Sequence, residues 1–352
     1  MRDAVHLPQG AWRGAHRATA RRHCLPLLVA LAGALAGTCA RAEAPADAAD
    51  SIVAVLQKVQ DAARTNDYAG VFTYQEGALL QSTRVVHMVD GTGERELLDT
   101  LDGPPREFIR HNEQVQYLIP EKKLIVILPR RGDRFPGVLL GDGKSIPAHY
   151  TLTRDGHESR VAGRECNMLE LRPRDAARYG YRLCTDTATS LLLKAQTLDP
   201  HHGVIDQVSF TSLHVGPGIS ADELNSHWKT QGWRVHQASV EPVDLSKQGW
   251  RIPAPPGFQA VTQVTRSMRA GRQVSQLVLS DGLAAISVFI EPMGPAHDAV
   301  PPKGAVHKGA MNIFGTRIGD HWLTAIGEVP VDTLRDIAQR TEYVPLIAPQ
   351  PR

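Results

Sequence analysis

From residue 68 onward, short stretches in which apolar and polar residues alternate, separated by turn residues, predict an antiparallel β protein. "YAGVFTYQEG", "LLQSTRVVHMVDG", "GERELLDTLDG", "PREFIRH", "EQVQYLIP" and "KKLIVILP" follow one another closely. Asp90-Gly91 and Asp102-Gly103 are hairpin signals, and Pro104-Pro105 withholds two amide donors where pairing must pause. Further strands are predicted in "RVAGRECNMLELRP", "RYGYRLCTD", "SLLLKAQTLD" and "GVIDQVSFTSLHV", which gives about ten strands in one meander.

Helical periodicity is confined to a few places. Ile52, Val53, Leu56, Val59 and Ala63 recur at helix spacing behind Asp50, which predicts a helix from Asp50 to Arg64 with Asp50 as its N-cap. In "SADELNSHWKTQGW", Ser220 and Glu223 form a capping-box pattern, and Leu224 with Trp228 would share the apolar face of the helix that follows. The proline-rich, weakly periodic residues 240–257 read as a linker into a second unit. Beyond it, "QVSQLVLSDGLAAISVFIE" predicts a hairpin on Asp281-Gly282, "DHWLTAIGEVP" another strand, and "VDTLRDIAQRT" a helix with Leu334, Ile337 and Ala338 on one side. The Pro/Gly stretch 292–304 reads as a surface loop. The fold class expected is α+β: a large antiparallel domain over 43–239, the linker, a small α+β domain over 258–345 and a tail over 346–352.

Two strands do not alternate. Leu124–Leu128 and Leu191–Leu193 are apolar on both faces, so each face is expected to meet something apolar. The residues alone favour a sandwich or closed barrel, in which the second cover is more protein. The alternative is a curved, half-open barrel whose second face is completed by an acyl chain, at about 0.8 kcal/mol per buried methylene.

The N-terminus changes the charge and the compartment. Arg13, Arg17, Arg21 and Arg22 precede an apolar run from Leu25 to Leu35, and small residues follow in "AGTCARAEA", so residues 1–42 read as a secretory signal cleaved after Ala42. A lipoprotein anchor on Cys39 is disfavoured by Thr38, where Gly, Ala or Ser would be expected. The segment holds six Arg and one Asp, which leaves 33 Lys plus Arg against 36 Asp plus Glu, about −3. No basic stripe remains for phosphate contacts, so nucleic acid is not an expected partner. Cys166 and Cys184 are then the remaining cysteines, in an oxidising compartment. They flank two strands symmetrically about a loop near Asp175, which predicts a disulfide across that hairpin worth about 3 kcal/mol in the chain-entropy model. A metal site would need further ligands at matched spacing, and a redox pair would need Cys-x-x-Cys.

The chain's longer patterns resemble a known family. "DYAGVFTYQEG", then "RVVHMVDGTGERELLDTLDGPPREFIR", "RYGYRL", "LLLKAQTLD", "QLVLSDGLAAISVFIE" and "GEVP" occur in the order found in the MucB/RseB family of periplasmic sigma-factor regulators. The resemblance implies a LolA-like, lipoprotein-carrier-like unclosed β-barrel with helices, joined to a smaller C-terminal domain. It also implies a periplasmic protein that binds the periplasmic domain of a MucA/RseA-like anti-sigma factor, shields it from regulated proteolysis, and is released by lipoprotein or lipopolysaccharide acyl chains. It brings no catalytic residue, cofactor or metal, and leaves self-association open. The Cys166–Cys184 pair is not a hallmark of the family. A lipid or lipoprotein carrier without a signalling partner is the alternative, against which stands the second domain, for which a pure carrier has no evident need.

Strand parity supplies candidate groove residues. Phe72 and Tyr74 share a face, as do Val86 and Met88, Leu169 and Leu171, and Leu191 and Leu193. Enzyme readings find no constellation: Gly-x-Ser-x-Gly, His-Glu-x-x-His and the phosphate-binding Gly-Lys-Ser/Thr are all absent. His201-His202 reads as a turn before Gly203, and Asp281 as a turn residue. The prolines of the linker predict domains that reorient when a ligand is released.

Overall fold

A computed structural model describes residues 46–129, 135–237, 240–267, 273–293 and 303–345. The expected signal segment, the C-terminal tail and nearly all of the 292–304 loop lie outside them. Helix α1 (Ala46–Thr65) starts before the predicted Asp50 cap, because the Ala-rich "ADAAD" contains no helix breaker. The strands β1 (Tyr68–Glu76), β2 (Leu79–Asp90), β3 (Gly93–Thr100), β4 (Glu107–His111), β5 (Gln114–Ile119) and β6 (Leu124–Pro129) follow. After the one-turn helix α2 (Ile146–His149) come β7 (Tyr150–Val161), β8 (Arg164–Pro173), β9 (Gly180–Asp186), β10 (Leu192–Leu198), β11 (Val204–Val215) and β12 (Arg234–Gln237).

These twelve strands form one sheet in the order β12-β6-β5-β4-β3-β2-β1-β11-β10-β9-β8-β7. The single meander expected from sequence is therefore two. Hairpins step outward from β1 to β6; the chain crosses to the opposite edge, and β7 to β11 step back until β11 pairs with β1. Among the described residues β7 and β12 are free edges that do not pair with each other, so the sheet is unclosed. The crossing segment lies against α1, where the Gln60 carboxamide oxygen accepts the amides of Val138 and Leu139 at 3.0 Å each. Ile52, Leu56 and Val59 of α1 pack there with Leu139, Ile146, Leu169 and Leu171.

Two expectations about the first sheet need correction. The capping box at Ser220 forms, but the helix behind it is a single 3-10 turn, Ala221–Leu224. Buried Glu107 takes the Ser226 hydroxyl and, at 2.9 Å, the His227 amide, drawing the chain away from a helical path; Trp228 is left 38% exposed instead of sharing a face with Leu224. Of Leu124–Leu128, Ile125 alone is buried, since on the side away from β5 the strand β6 has only the short, exposed β12 beside it. Leu191–Leu193, in contrast, are all buried.

The second sheet orders β13 (Val240–Pro242), β15 (Gln259–Ser267), β16 (Gln273–Ser280), β17 (Ala285–Pro292), β20 (His321–Gly327), β19 (Met311–Ile318) and β18 (Gly304–Lys308), all antiparallel. Helix α3 (Val331–Arg340) buries Leu334, Ile337 and Ala338. β14 (Trp250–Arg251) pairs with β21 (Glu342–Tyr343). The segment read as a linker is built into this unit: Val240–Pro242 pairs with β15, and Leu245 and Trp250 enter its core beside Phe258. Proline spacing suggested an exposed tether, but two large apolar side chains among the prolines outweigh it.

The two sheets belong to one compact unit, Pro45–Arg352, and a polar junction joins them. The loop between β8 and β9 inserts Arg178, which is fully buried. Its Nη1 donates to Asp281 Oδ2 at 2.7 Å, its Nε to Asp175 at 3.0 Å, and its Nη2 to the Pro256 carbonyl. The guanidinium carbon lies 5.1 Å from the Phe258 ring centroid and 5.6 Å from that of Tyr150. Asp281 also accepts the Tyr150 hydroxyl at 3.0 Å and the amides of Leu283 and Ala284 at 3.0 and 2.8 Å. It is the turn residue expected, and also the buried anion on which the junction turns. Tyr179 accepts Asn312 Nδ2, and the Ala177 carbonyl accepts the Thr333 hydroxyl, each at 3.0 Å.

Candidate functional site

Between the open face of the first sheet and the ends of the strands β17, β19 and β20 of the second lies a cavity of about 650 Å³. One wall is aromatic and aliphatic, with Phe72, Leu98, Phe108, Phe135, Leu183 and Leu192 from the first sheet and its crossing segment. The other wall comes from the second sheet and carries Leu283, Ala285, Met311 and Glu328. The volume is in the range of pockets that hold small ligands, and the mostly apolar lining suits hydrocarbon.

Phe72 and Tyr74 line this cavity; the other candidates do not. On β2 it is Val85 that faces the inner core, while Val86 and Met88 pack on the opposite face against Leu97, Ile109 and Leu224. The 3-10 turn covers that face, so both valines are buried and alternation could not tell them apart. Leu169 and Leu171 stand opposite Leu183 and Tyr181 in the ladder, hence on the cavity side, but α1 and the crossing segment cover them. Leu191 and Leu193 join a neighbouring core cluster with Tyr68, Val85 and Phe210, and an irregularity between Leu192 and Lys194 leaves Leu192 to line the cavity. Leu98 and Phe108, which are not among the parity candidates, also line the cavity, and the alternation of their strands is a signal for them. Asp206 and Glu328 had no local signal, because contact between the sheets brings them to the cavity.

The carboxyls of the cavity are Asp206 and Glu328, and its other polar side chains are the hydroxyls of Tyr74, Thr83, Thr100, Tyr181 and Thr197. Asp206 Oδ2 accepts the Tyr74 hydroxyl at 3.1 Å and the Ala310 amide at 3.3 Å. Glu328 faces the void, so its surface is open to the cavity while protein surrounds it. Burial, and then the nearby Asp206 carboxylate, pushes its carboxyl above the usual range. Burial followed by Asp206 likewise raises the Tyr74 phenol, and burial followed by Glu328 raises the Tyr181 phenol. The Tyr181 hydroxyl is buried without a hydrogen-bond partner.

Elsewhere, Cys166 and Cys184 form a disulfide with Cα atoms 5.5 Å apart. They are diagonal neighbours, not directly opposite: Cys166 faces Asp186 and Cys184 faces Met168 across β8 and β9. His201 and His202 lie in a turn held by the Asp199 carboxylate, which accepts the amides of His201 and Gly203 at 2.7 and 2.9 Å. Asp99, Glu107 and His227 bring ligand atoms within 4.8 Å of one another. His227 Nδ1 is 3.0 Å from Glu107 and 3.4 Å from Asp99, so these groups already satisfy one another as a clasp on residues 226–227. No helix of the described residues is long and apolar enough to cross a membrane.

Profiles of the MucB/RseB N-terminal domain and the MucB/RseB C-terminal domain match residues 51–228 and 244–342. The chain is 31% identical over 294 residues to the sigma factor AlgU regulatory protein MucB of Pseudomonas aeruginosa, covering 80% of this chain and 88% of that protein. It is 24% identical over 315 residues to the sigma-E factor regulatory protein RseB of Escherichia coli, covering 85% and 93%. Among solved structures it is similar to the complex of MucA and MucB from Pseudomonas aeruginosa, at 28% identity and a TM-score of 0.65, covering 86% of this chain and all of that one. It is also similar to MucB in complex with MucA(peri), at 28% identity and a TM-score of 0.64, covering 84% and 99%.

Proposed function

Because the chain belongs to the MucB/RseB family of sigma-factor regulators, we propose that it is a periplasmic binding protein. Its partner is the periplasmic segment of a membrane-anchored, MucA/RseA-like anti-sigma factor, which it holds and shields from the protease that starts the stress response. On this reading residues 1–42 are an export signal, the protein has no catalytic role, and the first sheet is a half-barrel whose cavity admits an acyl chain of lipoprotein or lipopolysaccharide. Entry of that chain weakens the hold on the anti-sigma segment.

The observation that supports the reading most is that both sheets line the cavity, with Phe72 and Phe108 on one side and Leu283 and Met311 on the other. A guest there touches both halves of the molecule, so its binding depends on how they sit. Linkage then requires guest and partner to weaken each other by the same factor. Tenfold corresponds to about 1.4 kcal/mol, which burying one or two methylenes differently in the two states supplies. The test of partner binding is calorimetric titration with the anti-sigma factor's periplasmic segment, together with protection of that segment from proteolysis. A saturable one-to-one complex that slows cleavage is expected. Absence of binding removes the regulator and leaves a carrier.

A further inference from the structure

We propose that the cavity selects its guest by head group, taking an apolar chain that ends in an ammonium or comparable hydrogen-bond donor and rejecting one that ends in a carboxylate. This rests on the reading of the cavity as a site for an apolar chain and specifies which chain.

Three observations converge. Glu328 opens onto the cavity and has neither an ion-pair nor a hydrogen-bond partner among the described residues. Asp206, 7% exposed, stands near it and, among the described residues, is engaged only by the neutral Tyr74 hydroxyl and Ala310 amide. No Lys, Arg or His of the described residues contributes to the lining. Among the described residues the cavity thus carries two carboxyl groups and no base, and its remaining side chains are apolar or hydroxyl-bearing. Like charges so placed repel, and burial together with the nearby Asp206 carboxylate raises the Glu328 carboxyl above its usual range.

Contrast with the junction sharpens the point. There Asp281 is a buried carboxylate that the protein has equipped with an arginine, a tyrosine hydroxyl and two amides. At Glu328 no such equipment is present among the described residues. A guest's cation in that place neutralises Glu328 and Asp206 together, whereas a carboxylate adds a third negative charge to the same space. The aliphatic part of the guest lies on Phe72, Leu98 and Leu192, and its head is turned towards Glu328 and Asp206.

The test uses three twelve-carbon amphiphiles that differ only in the head, dodecylamine, dodecanol and dodecanoate, each titrated calorimetrically below its micelle concentration at pH 7 into the full chain and into the variants Glu328→Gln and Asp206→Asn. Dodecylamine is expected to bind at least tenfold more tightly than dodecanoate, with dodecanol between, and the ratio is expected to shrink to within about threefold in Glu328→Gln. Both substitutions are close to isosteric, and the disulfide and the junction are untouched. Equal or tighter binding of dodecanoate overturns the proposal, as does a preference for the amine that neither variant reduces, since that would place the amine on the outer surface. If none of the three binds, dodecanol included, it is the apolar-chain reading of the cavity that fails, and this proposal with it.

Discussion

The two places where the sheets meet treat their carboxylates in opposite ways. At the junction, Asp281 is surrounded by donors, and the Arg178 guanidinium that holds it is itself satisfied by Asp175 and the Pro256 carbonyl and flanked by Phe258 and Tyr150. At the cavity, Glu328 faces a void and the Tyr181 hydroxyl lacks a partner. A buried ion pair contributes little net stability compared with apolar packing, but it tolerates only one geometry. The junction is therefore a fixed pivot, and the cavity is the part left unfinished. The segment 240–257 is folded into the second sheet, so it is not an extended tether between the two sheets.

The largest effect is expected at the pivot. Arg178→Ala leaves Asp281 buried without its cation, which should lower stability by about 3–5 kcal/mol in chemical denaturation. If the loss is under about 1 kcal/mol, the junction does not fix the sheets. Next comes the disulfide, which closes the β8–β9 hairpin whose loop carries Arg178. The double substitution Cys166→Ala/Cys184→Ala should lower stability by about 3 kcal/mol, and an unchanged denaturation midpoint would contradict this. On the cavity side, Ala195→Leu fills space beside Leu183 and Leu192. Dodecylamine affinity should fall about tenfold, close to 1.4 kcal/mol, while stability moves by less than about 1 kcal/mol.

Two smaller effects separate the regions by pH. His87, stacked on Tyr68 at 4.7 Å, gives Nδ1–H to the Asn66 carbonyl and leaves Nε2 without a partner, so burial lowers its pKa below 6.5. A histidine held neutral stabilises the fold fully above pH 6.5, and the contribution is lost as pH falls through its lower folded value. Stability should therefore decline below pH 6.5, and His87→Phe should flatten that slope. Glu328 has the opposite sign. Its raised pKa contributes stability below pH 4.5 that is lost as pH rises through the folded value. Glu328→Gln should raise stability at pH 7 but not at pH 4, by less than about 1 kcal/mol because the carboxyl faces an open cavity and is screened. A variant less stable than the parent at pH 7 would mean that Glu328 has a partner after all.

Much of the fold could be read from alternation and turns. The Asp90-Gly91 and Asp102-Gly103 hairpins and helix α3 lie where periodicity put them. What failed has a common physical cause, burial on both faces or contact between distant segments. Val85 and Val86 are both buried, so parity chose the wrong one; Leu169 and Leu171 face the correct side, but α1 covers them. The short 3-10 turn at Ala221–Leu224 was invisible because Glu107, more than a hundred residues earlier, diverts the chain after it. Asp281 was legible as a turn residue, whereas its pairing with Arg178 depends on how the two sheets meet.

The most direct test of the account is a titration of the anti-sigma factor's periplasmic segment into the chain with and without saturating dodecylamine. If the cavity guest and the partner are linked through the junction, the amphiphile weakens partner binding about tenfold, and the segment weakens dodecylamine binding by the same factor. Partner affinity that stays the same with the cavity filled would contradict the account.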